Sequence, residues 1–134
     1  MSEPTLLVAD DHPLFRAALL QLLHARFPQF QTLEAASAQT LGAALQEHPD
    51  IELVLLDLAM PGARGFSSLL HVRGEYPEIP VVVISSNEHP RVIRRAQQFG
   101  AAGFIPKSAA ASDMATAIEL VLDGDSWFPA MAAE

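Results

Sequence analysis

Carboxylates stand at the ends of two apolar runs, where charge is rare. Asp10 and Asp11 follow Leu6-Leu7-Val8-Ala9, and Asp57 follows Leu53-Val54-Leu55-Leu56. Ser85 ends Val81-Val82-Val83-Ile84, and Lys107 ends Gly103-Phe104-Ile105-Pro106. Three carboxylates brought within a few ångströms repel one another unless a cation lies among them. Oxygen ligands without imidazole or thiol favour Mg2+, which binds a few carboxylates, keeps waters and completes its shell with phosphate oxygens. Such a set could accept a phosphoryl group. Asp57 would supply the nucleophilic oxygen, the cation would screen its charge, and Lys107 and the Ser85 hydroxyl would contact the phosphoryl oxygens. A carboxylate is already ionised, so no general base is required. Each residue also has a simpler reading: Asp11 and Ser85 as helix caps, Asp57 as a turn former ahead of Pro61-Gly62, Lys107 as a solvated lysine. Singly those readings are the commoner ones. Jointly they leave unexplained why three carboxylates would share one crevice with a lysine.

Sharing a crevice requires particular elements. The apolar runs Leu6–Ala9, Leu53–Leu56 and Val81–Ile84 suit strands buried on both faces of a parallel sheet. Gln31–Ala35 alternates polar and apolar as an edge strand does, and Gly103–Lys107 is a last strand whose Pro106 is tolerable at an edge. Between them fall helices. Pro13 opens the first, from His12 to Arg26, with Phe15, Ala18, Leu19, Leu22 and Leu23 on its apolar face. Ser37 caps the second, carrying Leu41, Ala44 and Leu45. Phe66, Leu69, Leu70 and Val72 define the third, His89-Pro90 opens the fourth with Gly100 to stop it, and Met114, Ala117, Ile118, Val121 and Leu122 mark the fifth. Five strands alternating with five helices predict a doubly wound α/β fold with a parallel sheet. All strand carboxyl ends then lie on one rim, which gathers Asp10, Asp11, Asp57, Ser85 and Lys107.

Composition sets the bounds. The chain has 134 residues, half of them hydrophobic, enough for one domain to bury a core unaided. It has no cysteine, which excludes disulfides and thiolate metal sites. No apolar run approaches the roughly 20 residues that span a bilayer and no leader opens the chain, so a soluble, cytoplasmic protein without membrane contact is expected. With 16 acidic against 8 basic residues the formal charge is −8, which opposes direct nucleic acid binding by this chain.

Ala9-Asp10-Asp11-His12-Pro13-Leu14-Phe15-Arg16, Leu55-Leu56-Asp57-Leu58-Ala59-Met60-Pro61-Gly62, Ser85-Ser86 and Gly103-Phe104-Ile105-Pro106-Lys107 together resemble the receiver domain of two-component response regulators. The likeness covers roughly Thr5 to Gly124. The Asp-Asp-His-Pro run and the Gly-Phe-Ile-Pro-Lys-Ser ending are most similar to the NarL/LuxR type, in which a receiver precedes a DNA-binding helix-turn-helix domain. The resemblance implies a flavodoxin-like fold with strand order 2-1-3-4-5, an order for which chemotaxis receivers are a standing example. It implies a receiver over 1–124, with 125–134 as a tail or the start of a linker to an output domain. It also implies that Asp57 takes a phosphoryl group from a sensor histidine kinase. Asp11, Asp57 and the Ala59 backbone carbonyl would bind Mg2+, with Asp10 acting through water. Ser85 and Phe104 fall on the switch positions. The implied protein is a phosphoacceptor that catalyses only its own phosphoryl transfer and slow autodephosphorylation. It would control transcription through a helix-turn-helix domain and dimerise on phosphorylation, through the first and fifth helices or around the fourth helix, fifth strand and fifth helix.

Three departures from the family pattern stand out. Phe104 lacks the hydroxyl of the tyrosine common there, Arg64 precedes Gly65 where an acidic residue is usual, and Ser108 follows Lys107 where many receivers have proline. A non-proline cis peptide costs about 2.5 to 4 kcal/mol, which leaves the geometry of the Lys107–Ser108 bond open. Two other phosphate chemistries fit less well. Asp10-Asp11 would repel the phosphate of a flavodoxin-type cofactor, and an aspartate phosphatase normally carries an Asp-x-Asp pattern that neither Asp10-Asp11 nor Asp57-Leu58-Ala59 supplies. A pseudo-receiver that is never phosphorylated is countered by the intact Asp10, Asp11, Asp57, Ser85 and Lys107 set.

Overall fold

The structure, a computed structural model, describes residues 4–130. Strands and helices alternate: β1 (Thr5–Ala9), α1 (Pro13–Arg26), β2 (Gln31–Ala35), α2 (Ala38–Glu47), β3 (Ile51–Asp57), α3 (Ser67–Glu75), β4 (Val81–Ser85), α4 (Pro90–Gln98), β5 (Gly103–Pro106) and α5 (Ala111–Leu122). The strands pair in parallel in the order β2-β1-β3-β4-β5. This is the expected doubly wound, flavodoxin-like architecture.

Side chains alternate across a strand, so a continuous apolar run feeds two cores. Leu7, Ala9, Val54, Leu56, Val81, Val83 and Phe104 pack under α2, α3 and α4. Leu6, Val8, Leu53, Leu55, Val82, Ile84 and Ile105 pack under α1 and α5. Each fully buried aliphatic side chain is worth about 1.5–3 kcal/mol of transfer free energy, so the central strands are the most firmly placed part of the fold. Local signals fix several ends. Pro13 and Pro90 begin α1 and α4, and Ser37 and Thr40 exchange side-chain and backbone hydrogen bonds of 3.1 Å in a capping box at α2.

The structure corrects the sequence reading in a few places. β3 starts at Ile51, two residues before the apolar run, because the register against β1 skips Glu52 and leaves that carboxylate exposed. Leu70 is 48% exposed while Leu69 and Val72 are buried. One residue along a helix is a rotation of about 100°, so a short helix lying on Ser68, Leu69 and Val72 turns Leu70 to solvent. Ala18 is exposed for the same reason beside the Leu19 and Leu23 stripe. No cis peptide occurs among the described residues, so the Lys107–Ser108 bond is trans. Packing also continues past Gly124: Trp127 forms a parallel bridge with Gly103, donating to Ala102 O at 3.1 Å and accepting from Phe104 N at 3.0 Å, and thus covers the outer edge of β5.

Candidate functional site

In this strand order the connections from β1 and β3 leave toward opposite faces, which opens a crevice at their carboxyl ends. Asp10 follows β1 and is fully buried, and Asp57 ends β3 at 2% exposure. The turn after β1 is pinned by Arg16, which donates to the Asp10 carbonyl and, through Nε, to Glu34 Oε1 at 2.8 Å. Asp10 Oδ1 in turn accepts the His12 backbone N–H at 2.6 Å. After β3, Pro61 and Gly62 make a turn closed by Ala63 N–H to Met60 O at 3.0 Å, with Gly62 at φ 82° as a type II turn requires.

Lys107 Nζ reaches into the crevice, 3.1 Å from Asp57 Oδ2 and 3.0 Å from Asp10 Oδ2. The first contact is a hydrogen bond, while the second is an ion pair whose angle makes none. The lysine stem passes the Phe15 ring, with Nζ 4.9 Å from its centroid. Asp57 Oδ1 accepts the Ala59 N–H at 2.9 Å, so the turn-forming role is real but occupies one oxygen only. The capping role of Asp11 is not realised: His12 is the N-cap of α1 with no side-chain cap, and Asp11 Oδ1 is buried without a hydrogen-bond partner. Lys107 is no solvated lysine either, since 14% of its side chain is exposed.

Asp10, Asp11, Asp57 and Lys107 therefore meet as expected, whereas two other expected residues hold back. The Ser85 hydroxyl accepts from Asn87 N at 2.9 Å, and the α4 cap is supplied by His89 instead. Phe104 is fully buried in the core under α2, α3 and α4. One member went unread in the sequence. His12 Nδ1 lies within 3.4 Å of carboxylate oxygens of Asp10, Asp11 and Asp57 and 2.7 Å from Lys107 Nζ. Its signal was its place two residues after Asp10, in a turn that folds the ring back over the aspartate.

Among the described residues, Asp10, Asp11, His12 and Asp57 form a group whose ligand atoms lie within 4.8 Å of one another. The donor set fits a hard divalent cation. Two buried oxygens, Asp10 Oδ2 and Asp11 Oδ1, lack hydrogen bonds, and such groups are costly unless something else satisfies them.

A buried aspartate ending the central strand, two more after β1 and a lysine after β5 share one acidic crevice at the strand carboxyl ends of a doubly wound α/β module. The chain belongs to the response regulator receiver domain family, which it matches over residues 6–119. It is 41% identical over 124 residues to the glycerol metabolism activator of Pseudomonas putida, covering 92% of this chain and 56% of that one. It is 32% identical over 121 residues to the nitrate/nitrite response regulator protein NarL of Escherichia coli, covering 90% and 56%. The chain thus spans about half the length of these relatives. A LuxR family DNA-binding response regulator from Silicibacter pomeroyi superposes with a TM-score of 0.80 at 30% identity, over 94% of this chain and 96% of that chain. The non-phosphorylated receiver domain of RcsB from Escherichia coli gives 0.84 over 96% and 100%, and at 21% identity it bears on the fold alone.

Proposed function

We propose that this chain is the phosphoacceptor module of a two-component regulator, in which Asp57 takes a phosphoryl group from a phosphohistidine of a sensor kinase. The observation that carries this reading is the hydrogen bond from Lys107 Nζ to Asp57 Oδ2 at 3.1 Å, beside Asp10 and Asp11. Asp57 Oδ1 is held by the Ala59 N–H, so Oδ2 is the oxygen facing the lysine and open to react. Lys107 lowers the repulsion between this carboxylate and an anionic phosphoryl group, and then holds the product. Asp11, Asp57 and the Ala59 carbonyl would hold Mg2+, with Asp10 acting through water; when bound, the ion supplies the charge screening that phosphoryl transfer to a carboxylate needs.

A phosphoryl group adds about −1.5 to −2 charges at one point. The Ser85 hydroxyl would give up Asn87 N to approach it, and Phe104 would follow on the neighbouring strand, where Val83 pairs with Phe104. We assign the receiver to residues 1–124, with the following segment, in which Trp127 still pairs with β5, leading to an output domain. The relatives are more than one and a half times as long, which leaves room for an output domain, and the similar LuxR family response regulator is a DNA-binding one. Since the net charge of −8 argues against DNA contact by this module itself, a DNA-binding, transcriptional output in the cytoplasm would belong to that further domain. Among the described residues no helix is long and apolar enough to cross a membrane. Phosphorylation would then favour a homodimer.

Intact mass after incubation with a small acyl phosphate and Mg2+ tests the reading. Wild type should gain one base-labile phosphoryl group and Asp57→Asn none. Equal incorporation in the variant, or none in wild type with any donor, would leave a binding module that is never phosphorylated.

A further inference from the structure

His12 holds a place that the phosphoacceptor reading does not use. Its Nδ1 lies 3.1 Å from Asp10 Oδ1, 3.4 Å from Asp11 Oδ1 and 3.3 Å from Asp57 Oδ2. One ring nitrogen therefore faces all three carboxylates assigned to the cation. The backbone puts it there, since His12 N–H donates to Asp10 Oδ1 and Pro13 starts α1 immediately after.

We propose that His12 is a competing occupant of the cation's place: the imidazole fills the crevice of the cation-free chain and swings out when Mg2+ binds, and so sets the cation affinity. The inference rests on reading the crevice as the Mg2+ site. Mg2+ requires a near-octahedral oxygen shell at about 2.0–2.1 Å and keeps several waters. A ring nitrogen within 3.4 Å of all three carboxylates takes the room of that shell, and nitrogen is a poor substitute for oxygen on this ion. The ring can leave by giving up two hydrogen-bonding contacts, with Asp10 Oδ1 at 3.1 Å and with Lys107 Nζ at 2.7 Å. Its side chain is 57% exposed, and exposed side chains change rotamer within nanoseconds. Asp10 Oδ2 and Asp11 Oδ1 stay without hydrogen bonds while it is in place, so it occupies the crevice without satisfying it.

Competition of this kind multiplies the intrinsic affinity by the fraction of time the site is open. If the ring is out for about a tenth to a third of the time, removing it tightens Mg2+ binding about three- to tenfold. The test is calorimetric titration of Mg2+ into the unphosphorylated chain as wild type, His12→Ala and Asp11→Ala. Tighter binding by His12→Ala and much weaker binding by Asp11→Ala support the inference. Equal or weaker binding by His12→Ala, with Asp11→Ala still impaired, overturns it and leaves the Mg2+ site standing. Undiminished binding by Asp11→Ala overturns the site and the inference together. A measurement on wild type alone avoids any folding defect of the variants. On Mg2+ saturation the ring resonances of His12 should move to those of a solvated imidazole, while those of His24, bonded to Thr32 Oγ1, stay in place; unmoved His12 resonances overturn the proposal.

Discussion

Lys107 Nζ and Asp57 Oδ2 lie 3.1 Å apart across 50 positions of sequence, and the sheet sets their separation through β4, which pairs with both of their strands. Asp57 pairs with Ile84, Ser85 pairs with Pro106, and the Lys107 N–H donates to Ser85 O at 2.9 Å. A register slip of one residue in either pairing would send the lysine or the aspartate to the other face. The buried aliphatic residues of β4 are therefore as much a part of the site as the charged groups.

Lys107 is the cation that offsets Asp10 and Asp57 when no metal is bound, so its loss leaves buried carboxylates unpaired. Lys107→Met is expected to destabilise the cation-free chain by about 3 kcal/mol. Mg2+ at about 100 times its dissociation constant should restore about 2.7 kcal/mol. Urea denaturation with and without Mg2+ measures both values, and a variant as stable as wild type in chelator would show that the ion pair does not hold in solution.

Asp57→Asn should have the opposite effect. Three carboxylates share the crevice with one lysine, and the asparagine oxygen can still accept the Ala59 N–H. Relief of repulsion is expected to stabilise the cation-free fold by about 1 kcal/mol. The same denaturation experiment reads it, and a loss of stability would mean that the lysine contact outweighs the repulsion.

The core of this site was legible in the sequence because it depends on topology. Apolar runs of four residues ending in Asp10, Asp57, Ser85 and Lys107 must converge once the strands are parallel, whatever the details of packing. What stayed hidden depends on contacts that no local pattern encodes. The place of His12 follows from an Asx-type turn at Asp10, and its neighbour Pro13 signals only a helix start. The skipped Glu52 arises from pairing with β1, which is remote in sequence. Trp127 pairs with Gly103 through backbone atoms, and its side chain carries no trace of that bond.

The facing of α3 can be tested directly. Leu69 is fully buried against β4 and its neighbours, while Leu70 is half exposed. Leu69→Ala is expected to cost about 2–5 kcal/mol, and Leu70→Ala less than about 0.5 kcal/mol. Thermal or urea unfolding separates the two, and equal costs would mean that the helix is rotated about its axis relative to the sheet.

The last expectation concerns the covered edge of β5. A Cβ on Gly103 would meet the Trp127 carbonyl oxygen at 3.0 Å, and the obstacle is backbone, which cannot rotate away as a side chain can. The Val82 and Val121 methyl groups, at 3.4 and 3.5 Å, close the other directions. Gly103→Ala should therefore push the Trp127 segment off the strand and break the bonds to Ala102 O and Phe104 N, because the segment is held at one bridge while β5 is held along its length by β4. The expected cost is about 1–3 kcal/mol, the range for forcing a methyl group into a packed site. Trp127 is the only tryptophan of the chain, so its fluorescence reports on this segment alone. Emission should shift to the red in Gly103→Ala while circular dichroism keeps the α/β spectrum. Unchanged emission would mean that the segment does not lie on β5 in solution.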